Sequence, residues 1–436
     1  MASISKTWSE DELALIRKPR SLGEYFPQNL LAGPPELVVN AACCGIVGGR
    51  PVMELMQTQT CYSHLSDLES EYKPFIAKAI NLAEDSPLLH TFGNAAGDCL
   101  TFDLCKLLSC DVVMAGPPCP PWAGNGCKQG VSDARADVFE RIAQWIIYFA
   151  IDLGCLKAFM LENVAGMLKA YFPHSSYSEA VLEALREALP DWFIDVVSLN
   201  LNTILPHDRH RIFFRGCRKM YCVEGLPPPL PAPARRLRLK DILTPELPNI
   251  CRMDLPIGKR RNLLNYERQI RVIRSTQSDL FDDDTICCFS VDRALDKKWN
   301  SAIKIDTVPT LTTTNVFLFL VSVGDMHRDD KDRAFFRYLH PAERVALQGF
   351  PDVRSFTDTL SPHLVVKAMG NCYPPPLVYQ AFGPVLSCIS QAGSSGMTSS
   401  ASRPSAATLR FSIRKKLRKV SMKAKSKAKA KAKSSR

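Results

Sequence analysis

One cysteine, Cys119, stands among four prolines in residues 111–126, DVVMAGPPCPPWAGNG. The apolar run Val112, Val113, Met114 stops at Gly116-Pro117-Pro118, which reads as a buried strand ending abruptly with a thiol just beyond its tip. Pro117, Pro118, Pro120 and Pro121 fix φ and remove backbone donors, so the loop is stiff and can aim that thiol. Strand tips are where open α/β sheets do chemistry, and a thiolate placed there is a candidate nucleophile. Two further sets could serve it. Glu162, in LENVAG, ends the apolar run 158–161, and a carboxyl can hydrogen-bond a reacting group or hand it a proton. Arg209 and Arg211 alternate on an extended segment before IFFRG, so they project to one face and could hold a carbonyl oxygen or a phosphate.

The elements that must position these residues alternate in type. LVVNAACC (37–44) reads as a strand, 45–49 as a turn, 52–57 as a short helix and TCYSHL (60–65) as a second strand. A helix is expected over 73–82, then a strand whose tip carries Asp98, then the strand before Cys119. Apolar spacing predicts helices over 136–153 and 178–189, with strands at 158–161 and 192–199. Strands alternating with helices imply an α/β fold, a doubly wound, mostly parallel, Rossmann-like sheet. After Gly216 the alternation gives way to PPPLPAP (227–233), RRLRLK (235–240), KRR (259–261) and DLFDDD (279–284), read as a smaller irregular lobe. Order returns at Arg337, through LHPAERVALQGFPD and MGNCYPPPLVYQAFGPVL. The expected division is a lead-in at 1–35, a catalytic part at 36–216, the lobe at 217–336, the rest of the catalytic part at 337–390, and a disordered basic tail at 391–436.

With 436 residues, 46% of them hydrophobic, the chain has ample material for a packed core. No apolar run reaches the eighteen residues a bilayer span needs, so no membrane association is expected. The opening MASISKTWSEDELALIRKPR has early acids and no apolar stretch, which argues against a secretory signal. The sixteen cysteines lack paired CxxC units at zinc spacing, so they read mostly as small buried hydrophobes in a reducing compartment, with no metal expected. The net charge of +11 is concentrated in the tail: residues 410–436 hold thirteen Lys or Arg and no acid, leaving 42 bases against 44 acids elsewhere. Past Gln391 the Ser/Ala/Gly/Lys-rich chain cannot bury enough apolar surface to offset its conformational entropy.

In order, GPPCPPWAGNG, LENVAG (161–166), RHR (209–211), LHPAERVALQGFP and GNCYPPPL resemble the cytosine carbon-5 DNA methyltransferase family, over about residues 37–390. The resemblance implies a methyltransferase fold of the S-adenosyl-L-methionine-dependent kind, with Cys119, Glu162, Arg209 and Arg211 as catalytic residues. It also implies cofactor contacts from Cys44, Gly45, Ile46 and Gly48 in CCGIVGG (43–49), from Glu69 toward the ribose, Asp98 near the adenine, Pro118, and Asn371 at the methionine end. The chain departs from the family pattern at Cys43, where an aromatic is usual, Val47 (glycine), Pro120 (glutamine), Ala123 (serine) and His207 (glutamine).

A base inside a duplex lies out of reach of Cys119, so the implied partner is double-stranded DNA with its target base flipped out, gripped by the 217–336 lobe. DTVPTLTTTN (306–315) resembles the segment where that lobe rejoins the catalytic part, which brings Thr310–Thr313 toward the backbone by the flipped base. The tail resembles the lysine-rich arms of linker histones; it would add non-specific phosphate contacts and a nuclear address. A monomer is expected. Three other readings stay open: cytosine methylation in transfer RNA, adenine amino methylation, and a chromatin-binding module that has lost activity.

Overall fold

β1 (Glu36–Ala42), β3 (Val112–Ala115) and β4 (Ala158–Val164) are almost wholly buried, as strands covered on both faces of a parallel sheet must be. The computed structural model describes residues 7–28, 30–83, 85–93, 98–119, 121–122, 133, 135–168, 177–292, 303–313 and 317–393. β2 (Gln59–Ser66), β5 (Trp192–Asn200) and β6 (His210–Arg218) complete a six-stranded sheet in the order β2-β1-β3-β4-β6-β5. β2, β1, β3 and β4 run parallel, and β6 is antiparallel to β4. The chain leaves β1 toward β2 on one side and β3 toward β4 on the other, so the order reverses between β1 and β3. That switch point opens a crevice at the strands' carboxyl ends. The helices Ala136–Ile147 and Tyr177–Ala188 pack Phe139, Ile142, Trp145, Val181 and Leu185 into one core with Val113, Phe159 and Leu161. The α/β, doubly wound expectation therefore holds.

The strand expected before Asp98 reaches into residues 94–97, which lie outside the described residues. Upstream of them Pro87–Thr91 forms a 3-10 turn in which the Thr91 hydroxyl donates to the carbonyls of Leu88 and Leu65. The segment read as an irregular lead-in holds the short helices Glu10–Leu15 and Leu22–Tyr25, the second closed by a reciprocal Ser21–Glu24 capping box. The C-terminal helix Pro375–Gly393 contains Pro384, which lacks the N–H that would bond the Gln380 carbonyl. The Leu230 N–H donates to that carbonyl at 2.9 Å instead.

The described residues fall into two compact units, one within 28–199, 210–231 and 377–393, the other within 7–27, 200–209 and 232–376. Residues 337–376, expected with the catalytic part, thus cluster with 232–336. The second unit is more regular than its sequence suggests. It has a four-stranded sheet in the order β10-β9-β7-β8 (β7 Ile286–Ser290, β8 Lys304–Ile305, β9 Leu318–Ser322, β10 Phe336–Tyr338). Against it packs a 20-residue helix, Ile257–Thr276, through Leu263, Tyr266 and Ile270. Glu267 on that helix is buried between Arg252 and Arg333, each 2.8 Å away. The tail beyond residue 393 lies outside the described residues, as do the departures at Pro120 and Ala123.

Candidate active site

Strand register sets the geometry. Ser66, Ala42, Ala115, Leu161 and Phe214 are paired in one row across five strands. One step further along the parallel strands come Asp67, Cys43, Gly116 and Glu162, so the first loop, the proline loop and the candidate acid begin side by side.

The loop carrying Cys119 is held at both ends. On one side Asn163, next to Glu162 on β4 and fully buried, donates from Nδ2 to the Pro117 carbonyl at 3.3 Å and accepts the Val164 N–H at 2.8 Å. On the other side the Trp122 N–H donates to the Cys119 carbonyl at 3.0 Å, and the Trp122 ring stacks on Tyr177 at 5.1 Å. The Trp122 carbonyl lies so close to Gly166 that a Cβ there would meet it at 2.2 Å, so the glycine of LENVAG is a packing requirement. Between these anchors Cys119 is half-buried.

Glu162 and Arg211 form an ion pair that the sequence did not announce. Arg211 Nε lies 2.7 Å from Glu162 Oε1, and both side chains are at least nine-tenths buried. A second guanidinium N–H donates to the His210 carbonyl at 2.8 Å, which fixes the fork. Removing one partner of a buried pair of this kind costs about 3–5 kcal/mol, because the other charge is left unpaired.

Arg209 turns toward the backbone. Its guanidinium, 1% exposed, donates to the carbonyls of Leu311 (3.0 Å), Gly370 (3.1 Å) and Cys372, all within the second unit. It ties the 311 segment to the GNC turn. His207 works beside it: Nε2 accepts the Leu311 N–H at 3.1 Å, so the proton sits on Nδ1, which meets the Leu347 carbonyl at 3.1 Å. The Thr310 hydroxyl donates to the Asp208 carbonyl, and Gly370 lets Thr313 approach where a Cβ would meet its nitrogen at 2.5 Å. The threonine segment is thus knitted into its own unit, and residues 314–316 lie outside the described residues.

The first loop fits a cofactor cradle. Among the described residues nothing lies within 4 Å of where a Cβ on Gly45, at φ +52°, would stand. The Gly45 N–H donates to Asp67 Oδ2 at 2.8 Å, the Glu69 N–H donates to Asp67 Oδ1 at 2.9 Å, and the Cys44 N–H donates to the Ser66 carbonyl at 3.0 Å. Cys44, Ile46 and Gly48 are buried beneath this turn. Val47 adopts φ +51°, a left-handed conformation normally left to glycine, and Cys43 adopts φ +47°. Asp67, directly at the end of β2, is the acceptor that ties this turn together and was not singled out in the sequence; its signal was its place one step past the strand. Glu69 begins a 3-10 turn two residues on, half-buried. Asp98 spends Oδ1 on the Leu100 N–H at 3.0 Å, and Pro118 is half-buried beside Cys119. Asn371 ends the helix Pro362–Asn371 in the other unit and is exposed.

A doubly wound sheet with a stiffly held thiol and an arginine-held carboxyl at neighbouring strand ends matches the architecture of the methyltransferase class. The model of the C-5 cytosine-specific DNA methylase family matches residues 91–386, and the chain belongs to that family. Its activity is accordingly that of a DNA (cytosine-5)-methyltransferase with S-adenosyl-L-methionine as methyl donor. The matched span begins after the divergent first loop. The chain is 27% identical over 293 residues to the type II methyltransferase M.FnuDI of Fusobacterium nucleatum, covering 63% of this chain and 76% of that one. To the type II methyltransferase M.HpaII of Haemophilus parainfluenzae it is 25% identical over 276 residues, covering 63% and 70%. Among solved structures, S. pombe Dnmt2 methyltransferase aligns with a TM-score of 0.48 at 14% identity, over 82% of this chain and 98% of that one. Entamoeba histolytica methyltransferase EhMeth aligns with a TM-score of 0.46 at 15% identity, over 82% and 97%.

Proposed function

We propose that Cys119 adds covalently to carbon 6 of a cytosine flipped out of double-stranded DNA, so that carbon 5 becomes able to take a methyl group. The observation that carries this reading is the anchoring of the Cys119 loop, through Asn163 and Pro117, to the strand end that also presents the Glu162–Arg211 pair. Cytosine carbon 5 is a poor nucleophile. Addition of the thiolate at carbon 6 pushes an electron pair toward carbon 5 and ring nitrogen 3. Glu162, oriented by Arg211, shares a proton with nitrogen 3 and so neutralises the charge that develops there. The bound cofactor supplies an electrophilic methyl on a sulfonium centre, and Gly45, Asp67 and the turn beneath them would hold it. Loss of the carbon-5 proton to a base then expels the Cys119 thiolate and restores the ring.

The second unit, with its sheet and arginine-rich helix, would grip the duplex while the base lies in the crevice. The lysine-rich residues 410–436 would add salt-sensitive phosphate contacts and direct the protein to the nucleus.

Duplex DNA carrying 5-fluorocytosine tests the central step, because fluorine at carbon 5 blocks the final elimination. With S-adenosyl-L-methionine present, a denaturation-resistant protein–DNA adduct is expected from the native chain and none from Cys119→Ala. An adduct that persists in Cys119→Ala would overturn the assignment of the nucleophile. An adduct with RNA but not with DNA would move the substrate to the transfer-RNA reading.

A further inference from the structure

We propose that Cys43 and Cys99 form a dithiol modification site that a hydroperoxide oxidises to a disulfide, closing the cofactor crevice to S-adenosyl-L-methionine. The two residues are 56 positions apart in sequence, yet their Sγ atoms lie 3.7 Å from each other. Neither has a part in the chemistry assigned to Cys119. Cys43 is the first residue beyond β1, in left-handed backbone, and is half-buried; Cys99 is buried and follows Asp98 in the turn closed by the Thr101 N–H on the Asp98 carbonyl. The Ser66 hydroxyl, at the end of β2, stands 3.7 Å from Cys99 Sγ. Three segments that border the switch point therefore converge on one pair of sulfurs.

The pair is chemically unequal. Hydrogen bonds from the Cys43 thiol first, and from Ser66, hold the Cys99 thiol below its ordinary range against the opposing effect of burial. The Cys43 thiol is raised by the hydrogen bond it shares with Cys99, and burial raises it further. On that ordering Cys99 acts as the nucleophile and Cys43 as the resolving thiol, and the reverse order gives the same disulfide. The Cys99 thiolate attacks the outer oxygen of the hydroperoxide, the O–O bond breaks, and the alkoxide or hydroxide that leaves takes up a proton. Cys43 sulfur then attacks the sulfenic sulfur, the S–O bond breaks, and the hydroxyl leaves as water with the Cys43 proton. Two thiols lose two electrons and two protons, and the hydroperoxide becomes an alcohol and water, or two waters.

Forming the bond brings the sulfurs from 3.7 Å to about 2.05 Å. Either the first loop or the turn at 98–101 must move to absorb that contraction. The loop is tied to Asp67 and Ser66 through the Gly45 and Cys44 N–H groups, so a displacement at Cys43 is passed directly to the backbone of Gly45. This rests on that loop being the cofactor's cradle.

Cofactor binding by equilibrium dialysis, without DNA, separates the possibilities. Reduced protein is expected to bind S-adenosyl-L-methionine. Hydrogen peroxide treatment should join the Cys43 and Cys99 peptides in a non-reducing digest and lower affinity at least tenfold, with recovery in dithiothreitol. Cys43→Ser and Cys99→Ser should each keep their own affinity unchanged by peroxide. A disulfide elsewhere, or a Cys43–Cys99 disulfide that leaves affinity unchanged, overturns the proposal while the methyltransferase reading stands. Failure of the reduced protein to bind the cofactor overturns the cradle assignment and this proposal with it.

Discussion

Val47 shows how two opposing effects at one residue are decided by size. A left-handed conformation costs an L-residue roughly 1–2 kcal/mol, so Val47→Gly relieves strain at φ +51°. Yet the valine is only 4% exposed, and burying such a side chain is worth about 1.5–3 kcal/mol. A glycine also loses roughly 0.5–1 kcal/mol more to chain entropy. Burial wins, and Val47→Gly is expected to lower stability by about 1–2 kcal/mol in urea unfolding; a more stable variant would show that strain dominates. The departure from glycine was visible in the sequence, but the burial that retains valine was not. Arg209 makes the same point from the other side. Its carbonyl partners at 311, 370 and 372 lie more than 100 residues away, where no local pattern reaches. Cys119 and Glu162 stood out in the sequence because a rigid loop and a strand end are local features.

At the scale of elements, the anchors of the proline loop should govern turnover more than cofactor binding. Gly166→Ala places a methyl carbon against the Trp122 carbonyl, a backbone atom that has to move and carries the Cys119 turn with it. Misplacing a reacting group by about 1 Å costs on the order of a hundredfold in rate. Gly166→Ala is therefore expected to lower kcat by roughly that factor with cofactor affinity retained, and an unchanged kcat would detach the loop anchor from catalysis. On β2, burial holds His64 down to about 4, its ring edge-on to Phe102 and Trp145. Above pH 6.5 folded and unfolded chains both carry the neutral ring. As pH falls from 6.5 toward 4 the unfolded chain takes the proton first, so up to about 3 kcal/mol of stability is lost. His64→Phe should flatten this acid limb in pH-resolved unfolding; an equal slope in both proteins would assign the limb to other groups. The strands of the main sheet were readable as apolar, β-branched runs. The helix Ile257–Thr276 was missed because only Leu263, Tyr266 and Ile270, at helical spacing, stand out among arginines. The sheet it covers pairs β7 with β9 across some thirty residues, a non-local register with no short-range signal.

For the whole molecule, charge is divided as sharply as the fold. Outside residues 410–436 acids slightly outnumber bases, so long-range attraction to a polyanion falls to the thirteen cations of the tail. Each phosphate that a cation neutralises releases counterions, and the slope of log affinity against log salt is about −0.9 per contact. If half or more of the tail cations engage, the chain lacking 410–436 should lose several from that slope and bind DNA far more weakly at 50 mM salt than the full chain. At high salt the two proteins should converge. Turnover at saturating DNA should be the same for both, because the proline loop, the Glu162–Arg211 pair and the first loop all lie in the globular part. Fluorescence anisotropy across a salt series gives the slope, and methyl incorporation at saturation gives the turnover. An unchanged slope after truncation would assign the phosphate contacts to the globular units, where the arginines of Ile257–Thr276 are the first to substitute.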